Sequence, residues 1–165
     1  MNCPHHHLIF SHRPRSYRDL PLKISEYGVC YRNELSGTLT GLLRVRMLSM
    51  NDAHIYCRKD QIEKEFEDVI KMTVDYYKVF GLENYHFRLS LWDPDNKEKY
   101  INEPENWEYA QSVLRKVLQK NSVKFAEGIG EATFYGPKVD IQYKAVTGRE
   151  ETMSTIQLDF AAKEK

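Results

Sequence analysis

Apolar residues recur at three- and four-residue spacing over residues 60–81 and 104–120, which predicts two amphipathic helices. In the first segment, Asp60 followed by Glu63 is typical of a capping box, and Gly81 is typical of a helix end. The second segment begins at a proline, a residue favoured in the first helical turn. The apolar positions are Ile62, Phe66, Val69, Ile70, Tyr77 and Phe80, then Trp107, Ala110, Leu114, Val117 and Leu118. Each helix is therefore expected to bury one face.

Strands are predicted where apolar and polar residues alternate, most clearly over residues 85–91. Further strands are predicted over residues 28–34, 42–56, 123–127, 138–146 and 152–160, with a loop at 35–41 and a hairpin turn at 147–149. No internal repeat or low-complexity linker interrupts the chain. The expected fold class is α+β, an antiparallel sheet flanked by helices, in a single domain spanning residues 1–165.

Composition narrows the range of functions. The 165 residues carry 24 Lys and Arg against 24 Asp and Glu, so the net charge gives no argument for a nucleic-acid or membrane partner. No apolar run approaches the roughly 20 residues that span a bilayer, and the N-terminus lacks the layout of a secretory signal. A cytoplasmic protein without a membrane partner is expected. The three cysteines fit no disulfide framework and are expected to be free thiols or metal ligands.

Charged side chains fall on one face of the predicted early hairpin. The even-numbered positions that share this face are Arg32, Glu34, Arg44, Arg46, Asp52 and His54. Guanidinium groups and carboxylates in this arrangement suit a ligand that has both phosphate oxygens and an ammonium group. A solvated face with ordinary ion pairs explains the pattern equally well. In the last strand, Thr155 and Gln157 alternate with apolar residues, so these polar side chains either face water or line a site.

Cys3 and His54 raise the question of a metal, because thiolate and imidazole are the ligands that zinc prefers. Their spacing matches no established zinc motif, so the pattern by itself is weak support for a site. Three further histidines follow at residues 5–7. Adjacent histidines point in different directions, so all three are not expected to serve one metal.

Several runs of residues resemble one enzyme family in their order along the chain. They are MNCP at 1–4, SYRDLP at 16–21, YRNELSG at 31–37, GLLRVR at 41–46, NDAHI at 51–55, FYGPK at 134–138 and TIQLDF at 155–160. Together they resemble the threonyl-tRNA synthetases, a family of class II aminoacyl-tRNA synthetases. The resemblance covers nearly the whole chain, which looks like the central part of the catalytic domain.

The resemblance implies that L-threonine is activated by ATP to threonyl adenylate and then transferred to the acceptor end of tRNA(Thr). It implies that Arg32 is the catalytic residue, an arginine that binds the α-phosphate and stabilises charge as the carboxylate attacks. Glu34, Arg44 and Gln157 are implied as further ATP-binding residues, with Glu34 on adenine and Arg44 on the γ-phosphate side. Mg²⁺ is implied as the ion that accompanies ATP.

The resemblance also implies Zn²⁺, with Cys3 and His54 as two of three protein ligands. The implied substrate-binding residues are Asp52, Tyr135, Lys138 and Thr155. Bound zinc can take the amino group and hydroxyl of threonine while Asp52 accepts the hydroxyl hydrogen, and valine forfeits these interactions. Serine retains a hydroxyl, and its rejection in the family relies on an editing domain.

The chain departs from the family pattern in several respects. The third zinc-binding histidine, the arginine of motif 3 and the dimer-forming motif 1 have no counterpart, nor do the editing and anticodon-binding domains. A catalytic-core fragment with little activity and weak or no zinc binding is therefore expected, whereas the full-length protein would be a homodimer. The unusual residues are His5, Leu48, Met50 and those at 151–154.

Two alternative functions remain open from the sequence. The first is a catalytically inactive, synthetase-like binding protein, which the unusual Leu48 and Met50 favour. The second is a nucleic-acid-binding module that uses a basic patch. The patch consists of Arg13, Arg15, Arg18 and Lys23.

Overall fold

The computed structural model describes residues 2–160, which belong to two compact units that divide between Gln61 and Ile62. The first unit contains helix α1 (Cys3–Ser11) and strands β1 (Leu22–Tyr31) and β2 (Met47–Tyr56). Short 3₁₀ turns occupy Tyr17–Asp19, Ser36–Thr38 and Lys59–Gln61. The two strands form an antiparallel ladder that runs from the pair Leu22 and Tyr56 to the pair Tyr31 and Met47.

The hairpin of β1 and β2 has one covered face and one exposed face. Even-numbered residues of both strands are buried or half-buried, whereas odd-numbered residues other than Ile55, such as Tyr27, are exposed. This alternation follows from the two-residue period of a strand. We call the covered side, which contains Glu26, Asp52 and His54, the inner face of the hairpin.

Helix α1 packs on the inner face through residues three and four apart. Cys3, His6, His7 and Phe10 have the spacing i, i+3, i+4 and i+7 of one helical face. Phe10 stacks on Tyr56 with ring centroids 4.1 Å apart. The apolar residues Leu8 and Ile9 are exposed instead, so the polar side of this helix is its packed side.

The second unit combines two helices with a four-stranded sheet. Its elements are α2 (Ile62–Val79), β3 (Tyr85–Leu91), α3 (Pro104–Lys120), β4 (Phe125–Ile129), β5 (Lys138–Lys144) and β6 (Glu150–Gln157). The sheet has the order β4-β3-β5-β6. Strands β3 and β4 are parallel, with α3 between them in the chain, and the other two pairs are antiparallel. A parallel pair needs such a crossover, whereas β5 and β6 are joined by a hairpin.

The main core of the second unit forms between α2, α3 and one face of this sheet. It consists of Phe66, Ile70, Tyr77, Phe87, Leu89, Leu91, Leu114, Val117, Leu118, Val139 and Ile141. Odd-numbered residues of β3 and β5 supply the apolar face, so the even-numbered residues lie on the opposite face. These include Arg88, Ser90 and Asp140. We call this opposite side the polar face of the sheet.

The predicted α+β class is confirmed, as are both long helices, the strand at Tyr85–Leu91 and the hairpin turn around Gly148. The predicted strand bounds near the start were wrong. Strand β1 spans Leu22–Tyr31 instead of residues 28–34, and residues 42–46 are not part of β2. Instead, Thr40 pairs with Arg44 across a tight turn in which Gly41 has φ +46°. Helix α1 was not predicted, and the assignment of residues 1–165 to one domain stays a prediction.

Candidate active site

Three metal-binding side chains come together in the first unit. The possible ligand atoms of Cys3, Asp52 and His54 all lie within 4.8 Å of one another, and all three residues are half-buried. Cys3 lies at the start of α1, whereas the other two lie two residues apart on β2 and therefore point the same way. Among residues 2–160, no other group of three His, Cys, Asp or Glu side chains has its possible ligand atoms this close together.

The chemistry of this donor set fits zinc. A thiolate, an imidazole and a carboxylate are its usual protein ligands, with bond lengths of about 2.0–2.3 Å. With such bonds a tetrahedral site has ligand atoms about 3.3–3.8 Å apart, so the side chains would move closer together to hold the ion. The sequence pointed to Cys3 and His54 as ligands, and the structure places Asp52 beside them as a third donor.

The histidine run contributes to the first unit unequally. His5 is exposed, whereas His6 is only 3% exposed and His7 is half-buried. Nδ1 of His6 lies 2.7 Å from Nδ1 of His54, and Nδ1 of His7 lies 2.8 Å from the Tyr56 hydroxyl. The run therefore points in different directions, as expected. His6 is a site residue that sequence reasoning missed, although its three-residue spacing from Cys3 was a usable signal.

Two further features of the inner face bear on charge. Glu26 is directly opposite Asp52 in the strand register, and its Oε1 lies 3.3 Å from Nε2 of His6. Burial raises the pKa of the Tyr56 hydroxyl, and the nearby Cys3 raises this pKa further. Two carboxylates directly opposite each other repel, so this face favours a cation between its acidic groups.

The segment that joins β1 to β2 is positively charged. Residues 32–46 contain three arginines and one acidic residue, Glu34. The Arg44 guanidinium lies 3.3 Å from the Glu34 carboxylate, with 58% of the Arg44 side chain exposed. Arg32 is also exposed, and its backbone N–H donates to the carbonyl of Arg46 at 2.8 Å. The segment therefore presents exposed guanidinium groups, which suit bidentate contacts with phosphate oxygens.

Arg46, for which the resemblance implies no role, stabilises this segment through hydrogen bonds. Its Nε donates to the carbonyl of Glu34 at 3.1 Å, and its Nη2 donates to the hydroxyl of Ser36 at 3.2 Å. It thereby holds the backbone of the segment from the far side. The predicted shared face of Arg32, Glu34 and Arg44 with strand β2 is replaced by a loop, and Glu34 and Arg44 remain in contact within it.

The predicted residues of the second unit lie together on the ladder of β5 and β6. Lys138 is opposite Gln157, and Asp140 is opposite Thr155. The Tyr135 hydroxyl donates to Oε1 of Gln157. The structure thus brings Tyr135, Lys138, Thr155 and Gln157 to one part of the polar face.

Asp140, which sequence reasoning missed, connects this group. Its side chain is 0% exposed, and its Oδ2 lies 2.7 Å from Nζ of Lys138 and accepts from the hydroxyl of Ser90 at 2.9 Å. Its Oδ1 accepts from the hydroxyl of Thr155 at 2.8 Å, and Arg88 approaches Oδ2 at 3.5 Å. Burial acts to raise the pKa of this carboxyl, but the hydrogen bonds from Lys138, Thr155 and Ser90 together hold the pKa below its ordinary value. A buried charge of this kind fixes the position of the lysine beside it.

The family model described as the tRNA synthetase class II core domain (G, H, P, S and T) matches the chain over residues 1–165. The chain belongs to this family. The class II core thus includes both compact units, with the donor cluster in the first and the Asp140 group in the second.

Individual relatives agree with the class II assignment. The threonine–tRNA ligases of Staphylococcus carnosus (strain TM300) and Staphylococcus aureus (strain JH9) are 50% and 49% identical over 165 residues. These matches cover 100% of this chain but 26% of each relative, so the chain spans about a quarter of their length. A solved RNA binding domain of threonyl-tRNA synthetase from Cryptosporidium parvum Iowa II has a TM-score of 0.84 and 36% identity, covering 97% of this chain and 39% of that one. The resemblance to threonyl-tRNA synthetases is confirmed.

Two residues that depart from the family pattern, Leu48 and Met50, lie on the inner face of the hairpin. Leu48 is opposite Cys30 and Met50 is opposite Gly28, and both unusual side chains are half-buried. They therefore point to the side of the hairpin that contains Asp52 and His54. Their effect on the adenine contact stays a prediction.

The basic patch considered for nucleic acid is partly used for structure. Arg15 donates to the carbonyls of Phe10 and Ile9 near the end of α1, at 2.7 and 3.4 Å. The guanidinium of Arg18 lies 5.6 Å from the ring centroid of Tyr17. These contacts weaken the patch hypothesis, because a helix-capping arginine has fewer N–H groups to offer a phosphate.

Across residues 2–160, no helix is both long enough and apolar enough to cross a bilayer.

Proposed function

We propose that the chain is the catalytic-core portion of a threonine–tRNA ligase, which activates L-threonine with ATP and transfers it to tRNA(Thr). The observation that carries this proposal is the cluster of Cys3, Asp52 and His54 on the inner face of the hairpin. It accompanies 50% identity to a ligase of that name along the whole chain.

In the first unit, the exposed guanidinium of Arg32 binds the α-phosphate of ATP and stabilises the charge that develops as the threonine carboxylate attacks. Arg44 binds on the γ-phosphate side and Glu34 contacts adenine. Mg²⁺, when bound with ATP, would neutralise charge on the pyrophosphate. The contact of Arg44 with Glu34 supports this assignment, because it holds both side chains in place before ATP arrives.

Cys3 and His54 would hold zinc, with Asp52 as the adjacent carboxylate. When bound, zinc supplies Lewis-acidic positions for the amino group and hydroxyl of threonine. Asp52 accepts the hydroxyl hydrogen, which valine lacks, and this favours threonine. Zinc binding is therefore expected to depend mainly on Cys3 and His54, and the negative charge of Asp52 beside them is expected to strengthen it.

In the second unit, Tyr135, Lys138 and Thr155 bind the substrate and Gln157 binds ATP. Two contacts support this assignment, the hydrogen bond from Tyr135 to Gln157 and the placement of Lys138 by buried Asp140. The remaining partners, the acceptor end of tRNA(Thr) and a second copy of the full-length protein, belong to the same proposal. So does a cytoplasmic location.

Calorimetry with a non-hydrolysable threonyl-adenylate analogue tests the proposal. The 165-residue chain is titrated in excess zinc, because a site with few protein ligands binds the ion weakly, and again after chelator treatment. The valyl analogue is the ligand control. Binding is expected only with zinc, with the threonyl analogue preferred by about 100-fold or more, because a site that hydrogen-bonds a hydroxyl rejects a ligand without one.

Two cysteine variants provide a matched comparison. Cys3→Ser removes a donor of the cluster and is expected to abolish zinc-dependent binding. Cys57→Ser removes another half-buried thiol of the same unit and is expected to bind as the wild type does. Equal binding of the threonyl and valyl analogues, or equal loss in both variants, would contradict the proposal.

A further inference from the structure

His54 is the first of three side chains that contact one another in turn on the inner face of the hairpin, followed by His6 and Glu26. Nδ1 of His6 is 2.7 Å from Nδ1 of His54, with the two rings nearly perpendicular and their centroids 4.8 Å apart. Nε2 of His6 is 3.3 Å from Oε1 of Glu26. His6 is 3% exposed, and Oε1 of Glu26 is also buried, with no hydrogen bond of good geometry in the described residues. The buried carboxylate oxygen therefore has His6 as its close polar neighbour.

The order of these groups determines where the ring hydrogens lie. A carboxylate oxygen 3.3 Å from Nε2 of His6 attracts a hydrogen on that nitrogen and repels a lone pair there, so this approach favours the tautomer of His6 that bears hydrogen at Nε2. In a neutral imidazole the other nitrogen, Nδ1 of His6, then accepts. His54 must accordingly donate from its own Nδ1, which leaves a lone pair on its Nε2. An imidazole binds a metal through such a lone pair.

We infer that His6 is a positioning residue, which together with Glu26 fixes the tautomer and ring orientation of His54 so that Nε2 is the metal-binding atom. The inference rests on the proposed zinc site and names the two residues that prepare it. The strand register supports it, because Glu26 and Asp52 are directly opposite each other on the inner face. Glu26 contacts His6, the ring that contacts the ligand His54, whereas Asp52 lies in the donor cluster itself.

The first measurement needs no substitution and no metal. Long-range proton–nitrogen NMR spectra of the ¹⁵N-histidine-labelled, metal-free chain at one fixed pH report which ring nitrogen bears hydrogen. The inference expects His54 to be protonated at Nδ1 and His6 at Nε2. A His54 ring protonated at Nε2 would overturn it, whatever the variants do.

Two isosteric variants separate positioning from packing. In His6→Asn the amide oxygen can occupy the place of Nδ1 and accept from His54, whereas in His6→Gln the amide reaches the place of Nε2 and contacts only Glu26. The readout is a titration with Co²⁺ as the metal probe, followed by its visible absorption and thiolate charge-transfer band. Circular dichroism verifies that each variant is folded.

His6→Gln is expected to lower Co²⁺ affinity by about 10–100-fold, as is typical for loss of a residue that orients a metal-binding histidine. His6→Asn is expected to stay within about 3-fold of the wild type, because it retains the acceptor. His5→Asn, a change at the exposed neighbouring histidine, is the control and should have no effect.

The outcomes distinguish the inference from the proposed function. Equal losses in His6→Asn and His6→Gln, with strong Co²⁺ binding by the wild type, would overturn the positioning role and leave the metal site intact. Absence of Co²⁺ binding by the wild type would remove the metal site and the positioning role with it. If His6→Gln does not fold, the tautomer of wild-type His54 decides the inference alone.

Discussion

Replacement of Asp140 by asparagine tests how much the polar face of the second unit depends on one buried charge. The carboxylate is fully buried and lies 2.7 Å from the ammonium group of Lys138. Asparagine has nearly the same shape, so the substitution removes the charge and one acceptor without creating a cavity. Its amide can still contact either Thr155 or Ser90, but it cannot accept from every donor that surrounds the carboxylate.

The magnitude follows from the exposure of the partners. Removing one member of a buried ion pair costs about 3–5 kcal/mol. Lys138 is 20% exposed and Arg88 is 31% exposed, and Arg88 keeps a contact with Glu131 at 2.9 Å, so water and Glu131 compensate part of the loss. A hydrogen bond to a charged group contributes about 1.5–3 kcal/mol. We therefore expect Asp140→Asn to lower the free energy of unfolding by about 2–3 kcal/mol at pH 7.

Urea unfolding followed by tryptophan fluorescence reports on the second unit, which contains Asp140. Both tryptophans of the chain, Trp92 and Trp107, belong to the second unit, and their stacked rings lie 5.3 Å apart between centroids. With a urea dependence of about 2 kcal/mol per molar, the midpoint should fall by about 1–1.5 M. The matched control is Glu127→Gln in strand β4 of the same sheet. It breaks a half-exposed ion pair with Arg115 of α3 and should cost less than about 1 kcal/mol.

The effect should also depend on pH in a defined direction. The pKa of Asp140 in the folded chain lies below its ordinary value, which is about 3.9 in an unfolded chain. Its stabilising contribution is therefore complete above the unfolded pKa and is lost as the pH falls toward and through the folded pKa. The difference between wild type and Asp140→Asn should stay constant from about pH 7 to pH 5 and shrink below about pH 4. A difference below about 1 kcal/mol at pH 7, or one that does not shrink by pH 2, would refute the reasoning.

Two further substitutions test packing by thermal or urea unfolding. Leu114→Ala, at a fully buried position of α3, should cost about 3 kcal/mol, whereas Val79→Ala, at an 81% exposed position of α2, should change the free energy of unfolding by less than about 0.5 kcal/mol; similar losses would contradict the assigned core. Gly136→Ala would place a Cβ 1.9 Å from the backbone carbonyl oxygen of Leu158 and should cost about 2 kcal/mol or more. Gly37→Ala, with open space around it, should be neutral, and a neutral Gly136→Ala would show that this close approach is wrong.

The second unit was predictable because its sequence pattern agrees with its packing. In α3, Trp107, Ala110, Leu114 and Leu118 recur at helical spacing, and all four are buried. Strand β3 alternates in the same direct way, with Phe87 among its buried apolar residues. What the pattern could not supply is the partner of each strand. The parallel pairing of β3 with β4 depends on the crossover through α3, which is a property of the whole unit.

The first unit was less predictable because its pattern is inverted. Helix α1 exposes Leu8 and Ile9 and packs through His6, so a search for an apolar stripe finds no helix. In β1, Glu26 is half-buried whereas Tyr27 is 90% exposed, which obscures the alternation at the start of the strand. Prediction from periodicity assumes that apolar side chains are buried and polar ones exposed. The exposed Leu8, Ile9 and Tyr27 and the buried or half-buried His6 and Glu26 do the opposite.

Candidate site residues were found from the sequence only where their own chemistry is unusual. Cys3 and His54 drew attention as zinc-type ligands, and the alternation placed Asp52 on the same face as His54 before the resemblance gave it a role. By contrast, Glu26 and Asp140 are acidic residues of ordinary appearance, and their importance depends on contacts with residues distant in the chain. The sequence pattern does not show which distant residues come into contact with Glu26 and Asp140.

The places where pattern and burial disagree coincide with the places where the chemistry is concentrated. On the inner face of the hairpin, a half-buried glutamate, aspartate and histidine occupy positions that an ordinary hairpin would fill with aliphatic side chains. On the polar face of the sheet, Ser90 and Asp140 are completely buried. Burial of such groups is costly unless each is paired, so a sequence retains them where hydrogen bonding or a ligand compensates the cost. The inverted pattern is thus itself an argument for the site, because His6 and Glu26, which obscure the prediction of α1 and β1, are connected to His54 at the proposed metal position.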